Sequence, residues 1–411
     1  VGVIAEYNPF HNGHAYQLKK ARELSGANYC IAAISGDFVQ RGGPAVFDKY
    51  TRTAMALESG ADLVVELPPI FASSSAEDFA SCGVALLDAL GVVSHLCFGS
   101  ESGNLEELSS AADLLADESE GYQQVLRQHL KDGYPFPQAR AAAFSFCSPK
   151  TDPELLSQPN NTLGIEYLKA IKKQNSPVTP VTIKRMGSGY HEAVISSDQP
   201  MASATAIRAV LESRTVDDFK ESNLLLASQI PPAALNLART RLPLTADDFS
   251  ALLSLRFLEL DCQGTPLETF LDVSPELAKR IGRQILDFSP ISSRIQNLKT
   301  RQYTYTRISR ALLHLLLGIT SEQVFHARSL DYAPYARILG FQKSSALLLS
   351  HLREKSQIPL ITKTADAGKL LTPDALAILE TDFFASHLYQ AILAGKGRQI
   401  RNEYTKSVII V

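Results

Sequence analysis

The chain has 411 residues, of which 45% are hydrophobic and 20% are charged, a size and composition typical of a soluble globular protein with two or three domains. Its formal net charge of −3 does not by itself suggest a polyanionic partner, and no apolar run reaches the length of a membrane span. The five cysteines are dispersed and odd in number, which argues against a zinc site or a disulfide framework and favours a reducing cytoplasm.

The first 14 residues, VGVIAEYNPFHNGH, predict a strand, a turn and the start of a helix. The unbroken apolar run at residues 1–5 is typical of a strand that is covered on both faces of a parallel sheet. Asn8 and Pro9 end this strand. From His14 onward, apolar residues recur at helical spacing. We therefore expect His11 and His14 at a helix N-terminus.

This predicted helix N-terminus suits phosphate. Its unpaired N–H groups and the positive end of the helix dipole attract anions, two imidazoles can donate hydrogen bonds, and Gly13 allows close approach. The pattern H-x-G-H after a first parallel strand resembles the signature of the nucleotidyltransferase superfamily. That resemblance implies that His11 and His14 stabilise charge on the α- and β-phosphates of ATP while pyrophosphate leaves. The alternative is that both histidines merely cap the helix.

Strands followed by helices recur along the first half. Further buried strands are predicted at residues 29–34, 62–68, 92–98 and 178–183. This alternation predicts a Rossmann-like, doubly wound parallel α/β sheet, with ligands beyond the carboxyl ends of the strands.

Several polar or flexible residues follow these predicted strands and are candidates for nucleotide contacts. Gly99 and Arg185 come directly after two of them, and Arg41 lies in a glycine-rich loop. Asn160 and Asn161 precede a predicted helix, where we expect one to cap the helix and the other to bind adenine or ribose.

A second phosphate motif occurs at residues 203–208, SATAIR. It resembles the superfamily pattern S-[ST]-x-x-I-R, whose hydroxyls and arginine hold the β- and γ-phosphates. Ser203 and Arg208 match, Ala204 occupies the second hydroxyl position, and Thr205 lies one residue late. Two phosphate motifs far apart in sequence are a stronger signal than either alone.

A longer set of segments resembles the bacterial tRNA(Met) cytidine acetate ligase family. These segments are GVIAEYNPFHNGH, SGDFVQRGGPAVFDKYTRTAMAL, GADLVVELP, FGSE, QPNNTLGIEYL, SATAIR and, near the carboxyl end, RILGF. The resemblance, taken together with the two phosphate motifs, implies that His11, His14 and Arg208 are catalytic, with Arg208 added on physical grounds, and that a further set binds ATP. That set is Ile4, Ala5, Glu6, Tyr7, Asn8, Pro9, Phe10, His11, Asn12, Gly13, His14, Ala15, Tyr16, Gln17, Gly99, Asn160, Arg185, Ser203 and Thr205.

The reaction implied by the resemblance is an ATP-dependent ligation without coenzyme A. Acetate attacks the α-phosphate, and the N4 amine of the wobble cytidine in elongator tRNA(Met) then attacks the acetyl-adenylate, giving N4-acetylcytidine. We expect Mg²⁺ to be carried with ATP and no metal to be held by the protein alone. No general base for the second step is obvious in the sequence. Because the anhydride is reactive, positioning the amine against it can suffice. We expect no membrane and no obligate protein partner.

The second half differs in charge and in pattern. Up to residue 215 there are 17 Lys and Arg against 24 Asp and Glu, whereas the remainder has 23 against 19. We expect a catalytic domain at residues 1–215 and a mainly α-helical, tRNA-binding domain at residues 216–411, with helices that include one at 334–354. Basic residues near aromatic ones suit contacts with RNA phosphates and bases, and the candidates are Arg294, Lys299, Arg301, Arg307, Arg310, Lys396, Arg398 and Arg401. The alternative is that these cations lie on solvated helix faces.

Two other functions fit parts of the pattern. One is a small-molecule adenylyltransferase that acts on a phosphopantetheine or nicotinamide nucleotide, and it would not need a positive helical half. The other is a non-catalytic RNA-binding protein with a vestigial nucleotide fold, against which the intact histidine and arginine motifs argue.

Overall fold

The computed structural model describes residues 1–149, 152–185, 201–212, 224–400 and 402–411. At its centre is an eight-stranded sheet with the spatial order β10-β8-β5-β2-β1-β6-β7, to which β9 adds beside β8. The strands of the first half are β1 Gly2–Ala5, β2 Ile31–Ser35, β3 Phe38–Val39, β4 Gly43–Pro44, β5 Leu63–Leu67, β6 His95–Ser100 and β7 Thr179–Lys184. Those of the second half are β8 Ala336–Phe341, β9 Leu360–Ile361 and β10 Ile409–Ile410. Strands β3 and β4 form a separate antiparallel pair.

Helices surround the sheet. Those of the first half are α1 Asn12–Ser25, α2 Lys49–Glu58, α3 Pro69–Ala72, α4 Ala76–Ala89, α5 Leu105–Asp117, α6 Glu120–Lys131, α7 Phe136–Cys147, α8 Pro159–Lys173 and α9 Ala204–Glu212. Those of the second half are α10 Pro232–Arg239, α11 Ser250–Cys262, α12 Pro275–Gly282, α13 Ile291–Leu298, α14 Tyr305–Leu317, α15 Ser321–Ser329, α16 Ala346–Lys355, α17 Ala367–Leu370 and α18 Pro373–Gly395. In the part of the chain that the structure describes, no helix has the length and apolar character that crossing a membrane requires.

The predicted fold class is confirmed. Strands β1, β2, β5, β6 and β7 are parallel, and apolar side chains from successive residues enter opposite cores. Val3 packs in the core beneath α1, α2, α9 and α10, whereas Ile4 packs in the core beneath α4, α5 and α8. This is why these strands are apolar throughout, with no alternation of polar residues.

The change of face creates a crevice between β1 and β6. Helices α1 and α2, which follow β1 and β2, lie on one face of the sheet. Helices α4 and α8, which precede and follow β6 in the chain, lie on the other face. Strand β1 pairs with β2 at four positions but is registered with β6 only through Gly2 and Leu96. The two strands therefore separate toward their carboxyl ends, where ligands bind in sheets of this type.

The helix predicted at residues 334–354 is wrong in its first part, since residues 336–341 form strand β8 and the helix begins at Ala346. Strand β8 runs antiparallel to β5 and so protects its edge. At Gly340, a Cβ atom would lie 2.8 Å from the carbonyl oxygen of Ile409 and 2.9 Å from Leu57. The close approach of β10 and α2 therefore requires glycine at this position.

A buried cluster of charges joins the two ends of the chain. Lys49 lies 2.7 Å from Glu66 and 3.1 Å from Glu403, and Arg337 pairs with both carboxylates. All four side chains are at most 3% exposed. Burial alone would raise the pKa of Glu403, but Lys49 and Arg337 lower it to about 2. The predicted domain boundary at residue 215 lies outside the described residues.

Candidate functional site

The turn between β1 and α1 fixes both histidine rings. His11 is the N-cap of α1, and its Nδ1 accepts a hydrogen bond from the N–H of Gly13 at 3.1 Å. The Nδ1 of His14 accepts from the N–H of His11 at 3.3 Å. The two imidazole rings stack with their centroids 3.7 Å apart. Because each Nδ1 is an acceptor, each neutral ring carries its proton on Nε2, which leaves that N–H to donate to a ligand.

Both imidazoles are neutral at pH 7. Burial, followed by the charges of Arg185 and Arg208, lowers the pKa of His11 to about 3. Burial, followed by His11 and Arg185, holds the pKa of His14 well below its ordinary value. The histidines therefore supply hydrogen-bond donors, while the positive charge of the site comes from arginines.

Aromatic packing orients His14. The ring centroids of Tyr7 and Phe10 lie 4.8 and 5.5 Å from that of His14, and both aromatic residues are fully buried. Tyr7 has a φ of +48°, a left-handed conformation that is costly for an aromatic residue. We infer that this conformation persists because it places the ring of Tyr7 against His14.

The second phosphate motif lies directly beside the first. Arg208 donates to the carbonyl of Asn8 at 2.7 Å and to the hydroxyl of Thr205 at 3.1 Å. The hydroxyl of Ser203 accepts from the N–H of Ala206 at the start of α9. The fold thus brings together two motifs that are separated by almost 200 residues in the sequence.

Gln229 connects these two helix starts, a role that no sequence motif indicates. Its carbonyl accepts from the N–H of Asn12 at 2.8 Å, and its side-chain oxygen accepts from the N–H of Ala202 at 2.6 Å. Only the folded structure places this residue between α1 and α9.

The third part of the site joins the end of β6 to the start of α8. The expectation that Asn160 or Asn161 caps the helix is wrong, because Gln158 is the N-cap and both asparagines lie in the first turn. Asn161 accepts from the N–H groups of Glu101 and Ser102 at 2.9 and 3.1 Å. Glu101 in turn accepts hydrogen bonds from both asparagines. These residues hold the turn that follows β6 against the helix.

Asn160 and Arg185 form the inner surface of this third part. The side-chain oxygen of Asn160 accepts from Arg185 at 3.2 Å. A Cβ atom at Gly99 would contact the side chain of Arg185 at 3.5 Å, so the glycine leaves the backbone of β6 accessible beside the arginine. The three predicted residues lie together at the ends of β6, β7 and the start of α8.

Arg52 organises the loops after β1 and β2 and was not predicted to do so. It is fully buried and donates to the carbonyls of Glu6 at 2.7 Å and Ser35 at 3.0 Å, and also to that of Gly36. The carboxylate of Glu6 accepts from the N–H of Gln40 at 3.0 Å. This arrangement brings the loop that carries Gln40 and Arg41 to the mouth of the site.

All three parts enclose one cleft, which contains about 1080 Å³ of empty space that is partly open to solvent. The predicted residues that line it are Ile4, Ala5, Glu6, Tyr7, Asn8, His11, His14, Gln17, Arg41, Gly99, Asn160, Arg185, Ser203, Thr205 and Arg208. The remaining lining residues are Gln40, Phe79, Phe98, Leu163, Tyr167 and Ala204.

A smaller pocket adjoins the cleft through His11, His14 and Arg185, and Gly13 and Tyr16 line it. Neither space is lined by the remaining predicted ATP contacts, which are Pro9, Phe10, Asn12 and Ala15. Within the described residues, no group of three or more His, Cys, Asp and Glu side chains could hold a metal ion.

The predicted RNA contacts are placed unequally. Arg294 is 1% exposed and donates to the carbonyls of Ser289 and Gln284, so it offers no surface to RNA. Arg310 is paired with Asp272 at 2.8 Å, and Lys396 with Asp248 at 2.6 Å.

Three other cations lie nearer the surface. Lys299 and Arg301 are exposed and Arg307 is half-buried. The guanidinium of Arg301 lies 5.6 Å from the ring centroid of Tyr134, and that of Arg307 lies 5.1 Å from Tyr303. Arg398 is also exposed, whereas Arg401 lies outside the described residues.

Comparison with known proteins gives full-length matches. The family described as HIGH Nucleotidyl Transferase matches residues 1–404. The tRNA(Met) cytidine acetate ligase of Acetivibrio thermocellus is 36% identical over 421 residues, which cover 100% of this chain and 99% of the relative. That of Clostridium perfringens is 34% identical, with 100% and 98% covered. The crystal structure of Thermotoga maritima TmcAL bound with alpha-thio ATP is similar with a TM-score of 0.88 at 31% identity, and the likeness covers 100% of this chain and 99% of that one.

Proposed function

The chain belongs to the HIGH nucleotidyl transferase family and, within it, to the tRNA(Met) cytidine acetate ligases, and on this premise we propose its reaction. The protein is a ligase that consumes ATP and joins acetate to the N4 amine of the wobble cytidine of elongator tRNA(Met). The products are N4-acetylcytidine, AMP and pyrophosphate. The observation that carries this proposal is the union of both phosphate motifs around one cleft, where Arg208 reaches the turn that holds His11.

The first step forms acetyl-adenylate. A carboxylate oxygen of acetate attacks the α-phosphorus, a new P–O bond forms, and the bond to the oxygen that bridges the α- and β-phosphates breaks. The Nε2–H groups of His11 and His14 donate to phosphate oxygens as charge builds up, and Arg208 stabilises the departing pyrophosphate. Since these groups are already oriented before ATP binds, little reorganisation is needed in the transition state.

Mg²⁺ carried by the phosphates of ATP would neutralise part of their charge in the cleft. Among the described residues that line the cleft, Glu6 has the one carboxylate, and the N–H of Gln40 donates to that carboxylate. Mg²⁺ retains water and prefers phosphate oxygens to dedicated protein cages, which fits this sparse set of ligands. Neither step requires coenzyme A.

The second step transfers the acetyl group. The N4 amine attacks the acetyl carbon, the C–N bond forms, and the C–O bond to AMP breaks, so that AMP leaves with the electron pair. The amine loses a proton to solvent. The mixed anhydride is reactive, and holding the amine within contact distance of the carbonyl supplies the remaining acceleration.

The tRNA is held by a surface that joins the two halves of the chain. It consists of Lys299, Arg301 and Arg307 together with Tyr134, from the turn between α6 and α7, over which Arg301 lies. Cations neutralise phosphates, and an exposed aromatic ring can stack on an unpaired base. Arg398 adds a further exposed cation. In this division of labour, residues 1–215 bind ATP and residues 216–411 supply most of the RNA contacts, in the cytoplasm where tRNA is available.

The test combines the purified protein with ATP, labelled acetate and bulk tRNA, followed by nucleoside analysis. We expect ATP-dependent label in N4-acetylcytidine and none with the His14→Ala variant. Label found in acetyl-adenylate but not in RNA would support the adenylation step and refute tRNA as the acceptor. No label in either product would refute the ligase and favour an adenylyltransferase for another small molecule, and binding of ATP without any turnover would favour a non-catalytic RNA-binding protein.

A further inference from the structure

The cleft has two chemically different ends. One end is polar, because His11, His14, Arg185 and Arg208 line it together with the hydroxyls of the second motif. Toward the core beneath α4 and α8, the cleft is lined by Phe79, Phe98, Leu163 and Tyr167, and we refer to this part as its apolar end. None of these four side chains carries a charge and three of them are hydrocarbon, so this part of the cleft suits an apolar group better than a phosphate, whose burial requires paired charges or several hydrogen bonds.

The apolar end is a recess in the core beneath α4 and α8, on the opposite face of the sheet from α1 and α9. Phe79, Phe98 and Tyr167 are each at most 4% exposed. Leu163 and Tyr167 are four residues apart on α8, so both face the cleft from the same side of the helix. The rings of Phe98 and Tyr167 pack with their centroids 5.6 Å apart.

The direction of the reaction points to this recess. In an in-line displacement at the α-phosphorus, the attacking oxygen and the leaving pyrophosphate lie on opposite sides of the phosphorus. On the proposed function, the pyrophosphate lies at the motif at the start of α9, where Arg208 donates to the hydroxyl of Thr205 and both residues line the cleft. The attacking acid therefore approaches from the side away from α9, which is where the apolar recess lies.

The walls of the recess cannot readily move apart to accept a longer ligand. A Cβ atom at Gly164 would lie only 2.7 Å from the ring of Phe98, so that ring already presses against the backbone of α8. Ile4 is held in the same way from the other side, because a Cβ atom at Gly83 would lie 2.6 Å from its Cδ1. Well-packed walls of this kind resist even one additional methylene group.

We propose, building on the proposed function, that the recess of Phe79, Phe98, Leu163 and Tyr167 binds the methyl group of acetate and restricts the acid to two carbons. The carboxylate of the acid then points toward the α-phosphate and the histidines. Leu163 is the wall that can be changed at least structural cost, since it is the only one of the four that is half-buried.

The experiment measures acid-dependent exchange between ATP and labelled pyrophosphate, which needs no tRNA, with acetate, propionate or butyrate. The wild-type protein should prefer acetate to propionate by at least about tenfold in kcat/KM, the usual discrimination for one methylene group. Leu163→Ala should shift that ratio toward propionate by about tenfold or more. Leu163→Phe should lower kcat/KM for acetate by about tenfold and leave the KM for ATP within about twofold.

Leu168→Ala is the matched control, because Leu168 lies on the same helix and is buried in the core away from the cleft. It should leave the ratio between the two acids within about twofold of the wild-type value. An unchanged ratio in Leu163→Ala, with acetate exchange retained, would overturn the recess and leave the ligase reaction standing. The absence of exchange with every acid in the wild-type protein would overturn the proposed function, and the recess with it.

Discussion

The clearest test of the site separates the two roles of His11, as the cap of α1 and as a donor to phosphate. His11→Ala removes both the acceptor of the Gly13 N–H and the Nε2–H that faces the ligand. His11→Asn retains an acceptor for the cap, since asparagine is a good N-cap residue, but removes the imidazole donor. Loss of one oriented donor to a transition-state oxyanion costs about 2.7–4 kcal/mol, or about 10²–10³ in kcat.

The two variants should therefore agree in activity and differ in stability. Both should lose about 10²–10³ in the rate of acetate-dependent ATP–pyrophosphate exchange. Only His11→Ala should lose the cap, at a cost of about 1 kcal/mol in the free energy of unfolding by urea. Binding of tRNA should be unchanged in both, because neither variant alters the proposed RNA surface.

Two results would refute this reasoning. Full exchange activity in His11→Asn would show that the imidazole is not needed as a donor to phosphate. An equal loss of stability in both variants would show that the side chain at position 11 does not stabilise the protein by capping α1. The capping alternative from the sequence, in which the histidines do nothing more, predicts normal activity for His11→Asn and reduced stability for His11→Ala alone.

The remaining predictions concern pH, the buried charges and RNA. Because the pKa of His11 is about 3 in the folded protein but near 6.5 in the unfolded chain, its contribution to stability is complete above pH 6.5 and falls by about 1.4 kcal/mol per pH unit below it. The urea stability of the wild-type protein should thus fall more steeply than that of His11→Asn between pH 6 and 4, and parallel curves would contradict the lowered pKa. Glu403→Gln should lower the free energy of unfolding by about 3–5 kcal/mol, because it leaves buried cations short of a partner, whereas Asp366→Asn, which changes an exposed ion pair, should alter it by less than about 0.5 kcal/mol. Replacing both Arg301 and Arg307 with alanine should weaken tRNA binding and reduce its salt slope by about two, with acetate-dependent exchange unaffected, and an unchanged slope would place the RNA elsewhere.

The sequence was sufficient for the parts of the fold that depend on local pattern. Unbroken apolar runs followed by helices predicted the parallel strands, and the two phosphate motifs predicted the helix starts that carry His11 and Arg208. These signals work because strand burial and helix dipoles act over a few residues.

Features that depend on distant partners could not be predicted. A short apolar run such as that of β8 has no helical or strand period of its own, and the open edge of β5 decides its conformation. Arg294 stands in a run of cations, but two carbonyls of the loop between α12 and α13 and the hydroxyl of Ser254, 40 residues away, hold it in the core. One of Asn160 and Asn161 was expected to cap a helix, but hydrogen bonds with the turn at Glu101, about 60 residues away, give both asparagines another role.

The pairing of β8 with β5 also has a consequence for biosynthesis. Until residues 336–341 have left the ribosome, β5 remains an edge strand whose five residues, Leu63–Leu67, are all buried in the finished protein. Four of these five residues are apolar, and an unpaired strand edge of this kind can pair with other chains, so we expect the nascent protein to be most prone to aggregation while its second half is translated. Because β8 is separated from β5 by more than half of the chain, the parallel strands of the first half must form before this edge can be closed.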